Sequence, residues 1–224
     1  MLKRLALFCT LFALPAQASI IVYENDFESG NAGSAITGVR SVVGTQGYSA
    51  VGFGTRFLHN TSGSSSAPIA TTINLTNLPE HDSVNIGFLL ALIDSWDGNN
   101  ATFGPDILQI RLDGSLILNE IFPTSSAIQS ALTSATNLGF NTSFPDRAYD
   151  FNAFPSFTNI AHTADSLTLS FIAAGSGYQG GTDESYAIDN ISISVNPLIT
   201  VPEPGMFGVL GIGLIGLFRR RLFS

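Results

Sequence analysis

The sequence predicts an antiparallel β-sandwich, and three observations support this fold class. Segments 107–112, 166–171 and 190–195 alternate apolar and polar residues with the period of two that a half-buried strand requires. Other short runs rich in β-branched or aromatic residues are separated by Gly, Ser, Asn and Pro. Asp113-Gly114 joins two such runs and has the composition of a two-residue hairpin turn.

The strands are predicted in order along the chain. Beyond the three alternating segments, we expect strands at 20–27, 39–43, 51–59, 68–75, 84–93 and 115–122. Only residues 125–136 have helical spacing, and we expect them to form a helix in a connection. Residues 137–157 form an irregular segment with five Phe, which we expect to pack in the core, with the rim of a binding site as the alternative. This pattern is typical of a jelly-roll-type sandwich over residues 19–197.

The N-terminal 18 residues are predicted to be a secretory signal peptide. Lys3 and Arg4 precede an apolar run of about 10 residues, which is too short for a helix that spans a bilayer. Ala16-Gln17-Ala18 then provides a small-x-small cleavage site. The predicted partners are therefore the Sec translocon and signal peptidase.

The C-terminal segment 201–224 contains three features in a fixed order. Val201, Pro202, Glu203 and Pro204 form an extended peptide, since proline fixes φ and lacks an N–H group. Residues 206–218 are all apolar or Gly, and we expect a short transmembrane helix there. Arg219, Arg220 and Arg221 follow, and the positive-inside rule places them in the cytoplasm.

This ordered tail resembles the PEP-CTERM sorting signal of surface proteins of Gram-negative bacteria. The resemblance covers residues 201–224 and implies that exosortase, a membrane protease-transpeptidase, recognises Pro-Glu-Pro and removes the helix. It also implies an inner-membrane intermediate followed by release to the cell surface or extracellular matrix. The sorting system is associated with bacteria that produce exopolysaccharide, so polysaccharide is an expected partner.

Charge and cysteine content limit the possible partners of the exported segment. Cys9, the only cysteine, lies in the signal peptide, so a core rather than a disulfide must stabilise the domain. Between Ser19 and Thr200 there are four arginines, no lysine and 16 of the 17 carboxylates, for a net charge of −12. Nucleic acid is thereby excluded as an expected partner, and divalent cations suit the charge.

Two clusters of carboxylates are candidate structural Ca²⁺ sites. The preferred cluster is Asp26, Glu28 and Asp189, because ENDFESG and YAIDNISI resemble jelly-roll modules in which Ca²⁺ bridges adjacent first and last strands. The alternative is Asp94, Asp97 and Asp106 in one turn-rich loop, where oxygen ligands lie at short spacing and Gly98 allows a bend. Trp96, in the same loop, is a candidate sugar-stacking residue, with a core position as the alternative.

No catalytic motif stands out in the sequence. It has neither a Gly-x-Ser-x-Gly elbow nor a His-Glu-x-x-His pair, and His59, His81 and His162 lie far apart along the chain. We therefore predict a non-enzymatic surface or matrix protein whose sandwich binds polysaccharide or is purely structural. The alternative is a secreted glycan-active hydrolase or lyase.

Overall fold

Two antiparallel sheets face each other across an apolar core and build the unit Ala18–Pro197. The computed structural model describes residues 18–64, 66–122, 136–137 and 146–198. The larger sheet contains β1 (Ile20–Asn25), β3 (Ser41–Gly44), β4 (Arg56–Asn60), β6 (His81–Asp94), β9 (Thr136–Asn137), β10 (Arg147–Asp150), β11 (Ile160–Ala161) and β13 (Glu184–Pro197). The smaller sheet contains β2 (Ile36–Gly38), β5 (Thr71–Thr76), β7 (Ile107–Leu112), β8 (Ser115–Ile121) and β12 (Ser166–Ala174). Tyr48–Val51 and Pro155–Phe157 form short 3₁₀ turns.

The strand order places the two longest strands at the centre of the larger sheet. That order is β3-β4-β13-β6-β10-β9, with β1 also on β13 and β11 also on β6, whereas the smaller sheet runs β2-β5-β12-β7-β8. Every described pairing is antiparallel. The first and last strands lie side by side, with Ile20 opposite Val195. The predicted β-sandwich is confirmed, while the jelly-roll assignment stays an interpretation.

The Asp113-Gly114 hairpin is also confirmed. β7 and β8 pair directly around it, and both turn residues have positive φ, 49° and 78°. This backbone matches a type I′ turn, which explains why Gly occupies the second position. The predicted helix at 125–136 lies outside the described residues apart from Thr136, which belongs to β9. The signal peptide and the helix at 206–218 also lie outside them.

β6 explains why residues 84–93 read as an almost continuous apolar run. Its side chains alternate between two apolar layers, so that Leu90 and Leu92 face the other sheet while Leu89 and Ala91 contact a second layer on the outside. Tyr48 in that outer layer donates a hydrogen bond of 2.7 Å to the Leu92 carbonyl. From Phe88 to Ile93, β6 is therefore buried on both faces, as the apolar run in its sequence requires.

The described part of the Phe-rich segment packs into the core between the sheets, as predicted. Phe151 stacks on Phe88 with ring centroids 4.8 Å apart, and Phe157 lies 5.6 Å from Phe88. Phe171 of the opposite sheet meets Phe88 edge to face at 5.1 Å. Rings from both sheets thus fill the centre of the sandwich, where they supply large buried apolar area.

A chain of hydrogen bonds, of which the central one is buried, joins the two sheets at one end of the sandwich. His81 Nδ1 lies 2.6 Å from the Pro79 carbonyl, His81 Nε2 lies 2.6 Å from His162 Nδ1, and His162 Nε2 lies 2.9 Å from Asp113 Oδ2. This His81–His162–Asp113 chain links the start of β6 to the hairpin between β7 and β8. His81 and His162 are 81 residues apart in sequence, but folding stacks their rings with centroids 4.9 Å apart.

We expect His162→Ala to destabilise the domain by about 1–3 kcal/mol, because it leaves buried His81 Nε2 without a partner. Thr163→Ala is the matched control, since this exposed neighbour should change stability by no more than about 0.5 kcal/mol. Urea unfolding of both variants and the wild type measures the difference. Equal midpoints for His162→Ala and Thr163→Ala would show that the chain contributes nothing.

Candidate metal centre

A loop between the two sheets brings together carboxylates that are distant in sequence. β6 ends at Asp94, whose φ of 69° turns the chain away from the sheet, and residues 95–106 lead to β7. Trp96 fastens this loop, because its Nε1–H donates a 2.8 Å hydrogen bond to the Ser185 carbonyl at the start of β13. The loop is thereby held against the first residues of the last strand.

Asp97, Asp106 and Glu184 form the candidate metal centre. One carboxylate oxygen from each lies within 4.8 Å of the others, and among the described residues this is the only such group of three possible metal ligands. Backbone hydrogen bonds position the side chains: Asp97 N–H donates to Asp106 Oδ2, and Gln179 N–H donates to Glu184 Oε2 at 2.7 Å. Asp106 N–H in turn donates to the Gly98 carbonyl at 3.0 Å.

The remaining oxygens of the two buried carboxylates have no protein partner. Asp106 and Glu184 are both fully buried, and Asp106 Oδ1 and Glu184 Oε1 accept no hydrogen bond. A buried, unpaired carboxylate oxygen is costly, so these two atoms call for a proton or a cation.

The raised pKa values of the three carboxyl groups also indicate that the centre requires protons or a cation. Burial, and then the neighbouring charges of Asp97 and Asp183, raise the pKa of Asp106 to about 7. Burial, and then the charges of Asp106 and Asp183, raise the pKa of Glu184 to about 8. Burial likewise raises the pKa of Asp97, and Asp183 adds to that effect. A bound cation would reverse these shifts, because it favours the ionised form of each ligand.

The donor set suits a hard cation. Three carboxylates supply only oxygen, which is the ligand atom of Ca²⁺ and Mg²⁺, and no His or Cys belongs to the group. Asp97 is only partly buried, so water can complete a coordination shell from that side. The residues present therefore fit Ca²⁺, which accepts six to eight oxygens in flexible geometry.

The structure brings together only part of the predicted loop cluster. Asp97 and Asp106 belong to the centre, but Asp94 does not, because its backbone turns at the strand end and its N–H donates to Asp146 Oδ1 at 3.0 Å. Glu184 takes the third position. Sequence reasoning missed Glu184 because its position opposite Asp94 depends on the pairing of β13 with β6 across 90 residues of chain.

The preferred cluster, Asp26, Glu28 and Asp189, lies elsewhere, beside the contact of β1 with β13. Glu28 Oε1 accepts from the N–H groups of Thr55 and Arg56 at 2.7 and 3.0 Å. Both oxygens of buried Asp189 also accept N–H groups, from Gly54 at 2.9 Å and Asn190 at 2.8 Å. Glu28 and Asp189 thus fasten residues 54–56, at the start of β4, and Asn190, and backbone donors already satisfy them. Asp26 is exposed and accepts the N–H of Glu28 at 3.2 Å.

Trp96 is not an exposed sugar-stacking residue, and that expectation is wrong. Its side chain is completely buried, with Phe122 and Tyr178 at ring-centroid distances of 6.3 and 5.7 Å. Its neighbour Asp97 belongs to the metal centre, whereas the Trp96 ring packs in the core. The alternative core position is the one that the structure shows.

The tail matches a known sorting signal. Residues 200–221 match the PEP-CTERM protein-sorting motif, which confirms the resemblance found in the sequence. The chain therefore carries the signal of an exported protein that undergoes a membrane-associated sorting step. Among the described residues, no helix is long and apolar enough to cross a membrane. No curated protein sequence matches the chain.

Several solved structures of carbohydrate-binding modules resemble the chain at low identity. The N-terminal CBM22 tandem of Xyn10C from Paenibacillus barcinonensis is 15% identical with a TM-score of 0.40, and the match covers 86% of this chain and 50% of that one. The chain thus spans half the length of that tandem. A CBM28 module specific for non-crystalline cellulose is 13% identical with a TM-score of 0.40, and the match covers 82% of this chain and 98% of that one. The mannan-recognising module TmCBM27 is 14% identical with a TM-score of 0.38, and the match covers 80% of this chain and 99% of that one.

In the presence of a chelator, we expect the melting temperature to fall as the pH rises from about 6 to about 8. Asp106 and Glu184 bind protons more tightly in the folded state than in the unfolded state. The free energy of unfolding therefore falls from about pH 4, where the unfolded carboxyl groups ionise, to about pH 8, above which the folded groups are ionised as well. Glu184→Gln should reduce this fall. The control is Glu28→Gln, since hydrogen bonds from Thr55 and Arg56 lower the pKa of Glu28. Scanning calorimetry across pH measures the slopes, and an unchanged slope in Glu184→Gln would contradict the assignment.

Proposed function

We propose that this chain is a surface or matrix protein whose β-sandwich is a non-catalytic, calcium-stabilised module that binds polysaccharide. The PEP-CTERM motif at residues 200–221 carries the export part of the proposal. The two unpartnered buried oxygens of Asp106 and Glu184 carry the calcium part.

The sorting step follows from the chemistry of the tail. Pro202 and Pro204 keep the peptide around Glu203 extended and unpaired, which suits recognition by a protease. A Gly-rich apolar run of about 13 residues spans roughly 20 Å and anchors weakly in a core of ~30 Å. We infer that an exosortase-type protease cleaves at this signal after Arg219, Arg220 and Arg221 have stopped transfer.

The hydrolase or lyase alternative has one observation in its favour. Asp106 and Glu184 are neighbouring carboxyl groups with raised pKa values, as catalytic acids often are. However, both side chains are fully buried, and one oxygen of each already accepts a backbone N–H group. A glycosidic oxygen has no direct access to such a pair, so a cation site explains the two groups better than a catalytic dyad does.

Polysaccharide binding is supported by the character of the exposed sheet surface. On the outer face of the smaller sheet, Thr72 and Ser170 hydroxyls lie 3.1 Å apart, and Gln109 Nε2 donates to Asn119 Oδ1 at 3.0 Å. Neutral hydroxyl and amide groups of this kind both donate and accept, as sugar hydroxyls do. Retention on polysaccharide without release of soluble sugar would distinguish a binding module from a hydrolase or lyase. A purely structural matrix protein would bind no glycan.

We expect millimolar Ca²⁺ to raise the melting temperature of the mature protein by roughly 5–10 °C. A cation present at 100 times its Kd adds about 2.7 kcal/mol when it binds only the folded state. Melting is compared in EDTA, in Ca²⁺, and in NaCl of matched ionic strength, because general screening would give the same gain in NaCl. Asp106→Asn should lose the Ca²⁺ shift and Asp26→Asn should keep it. The opposite pattern would place the ion at the Asp26, Glu28 and Asp189 cluster, and equal midpoints in Ca²⁺ and NaCl would remove calcium from the proposal.

We expect the tail to be absent from the mature surface protein. Mass spectrometry of protein released from the native host should find a C-terminus that precedes the apolar run. Pro202→Ala combined with Pro204→Ala should retain the protein in the membrane fraction, because helix can then extend through the recognition peptide. An intact Arg221 on surface-exposed wild-type protein would refute processing.

A further inference from the structure

An open cleft of about 450 Å³ lies beside the candidate metal centre. Its volume falls within the ~300–1,000 Å³ that is usual for small-molecule sites. The cleft is lined by parts of three loops, which contribute Ser64, Ser66, Thr102, Phe103, Ser176 and Gln179.

The cleft contains an exposed aromatic ring. Phe103 is 57% exposed, whereas every other Phe, Tyr and Trp among the described residues is buried or half-buried. Single exposed apolar residues are common and mean little alone. This ring, however, stands next to several side chains that can form hydrogen bonds, and an apolar face flanked by such groups is the combination that a sugar ring requires.

The cleft lining is uncharged, unlike the strongly acidic domain around it. Its lining side chains are all neutral, although the exported segment carries a net charge of −12. The nearby carboxylates of Asp106 and Glu184 are buried rather than exposed in the cleft. The lining therefore suits a neutral saccharide and offers no charged partner for a phosphate or a cation.

The walls of the cleft are attached to the metal centre. Phe103 belongs to the loop that runs from Asp97 to Asp106, and Asn100 Oδ1 holds this loop by accepting the N–H groups of Thr102 and Phe103 at 2.8 and 3.1 Å. Gln179 in the opposite wall donates its N–H to Glu184.

The two walls also meet directly. Gly177 approaches the Phe103 carbonyl so closely that a Cβ atom at position 177 would collide with it. Asp97 and Asp106 flank Phe103 in the chain and Glu184 accepts the N–H of Gln179, so a cation held by all three carboxylates would be attached to both walls and would hold them together more firmly.

We propose that this cleft is a saccharide-binding site in which Phe103 stacks on a neutral sugar ring and the hydroxyl and amide side chains bind its hydroxyl groups. A cation held by Asp97, Asp106 and Glu184 keeps the two walls in place, so binding depends on Ca²⁺. This inference rests on the proposed polysaccharide-binding function and names its site.

The test uses affinity electrophoresis of the mature protein through gels that contain the neutral extracellular polysaccharide of the native host, with a panel of neutral plant and fungal polysaccharides in parallel. Phe103→Ala should weaken retardation at least about tenfold, which corresponds to about 1.4 kcal/mol. Leu116→Ala is the matched control, since Leu116 is a 47% exposed apolar residue on β8 outside the cleft lining. Melting curves verify that both variants fold.

The calcium arm compares wild-type binding in EDTA and in Ca²⁺, well below the melting temperature in either. Removal of Ca²⁺ should weaken binding at least as much as Phe103→Ala does, and binding that is equal in both conditions would overturn the coupling to the metal centre. Wild-type binding that survives Phe103→Ala unchanged, or that Leu116→Ala reduces equally, would overturn the site and leave the proposed function standing. A wild type that binds no polysaccharide would overturn both.

Discussion

The pairing of β6 with β13 is the constraint on which the rest of the structure depends. The two 14-residue strands run antiparallel from Glu184 opposite Asp94 to Pro197 opposite His81, and β4, β1, β10 and β11 attach to one or the other. Residues 82–87 of β6 alternate core-facing Val84 and Ile86 with less buried positions, so a one-residue shift of the register would turn Val84 and Ile86 out of the core. This register fixes both ends of the sandwich: it places Glu184 beside the loop that follows Asp94, and it places His81 at the end where His162 and Asp113 meet it.

The strands and turns that could be predicted are those that are specified by residues close together in the sequence. Alternation in residues 107–112 and 166–171 identified strands with one buried face. Asp113-Gly114 identified the hairpin between β7 and β8, because the turn depends on two residues alone. The predicted strand at 51–59 was too long, since Tyr48–Val51 forms a 3₁₀ turn and β4 begins at Arg56. Here apolar residues cover the outside of a sheet instead of forming one. Periodicity reports burial, but it does not report which layer a side chain enters.

The candidate site could be predicted only in part, for the same reason. Asp97 and Asp106 lie in one loop and were grouped by their spacing, whereas Glu184 joins them through a pairing between strands that are distant in sequence. The carboxylates Asp26, Glu28 and Asp189 do lie on adjoining segments, as the neighbouring first and last strands imply. Glu28 and Asp189 nevertheless accept N–H groups from residues 54–56 and from Asn190, and Asp26 accepts the N–H of Glu28. Sequence can place carboxylates near one another, but it does not show whether backbone donors already satisfy them.

The position of the metal centre determines how a bound cation would act on the fold. Asp97 follows β6, Asp106 precedes β7 and Glu184 begins β13, so the three ligands are attached to both sheets. Without a cation, three neighbouring carboxylates repel one another at the point where the sheets are tied together, and burial of Asp106 and Glu184 increases that cost. A cation would both remove the repulsion and cross-link the sheets, in a chain whose only cysteine lies in the predicted signal peptide. Its stabilisation would therefore extend to the whole sandwich, and the cleft beside the centre would gain its order from the same three ligands.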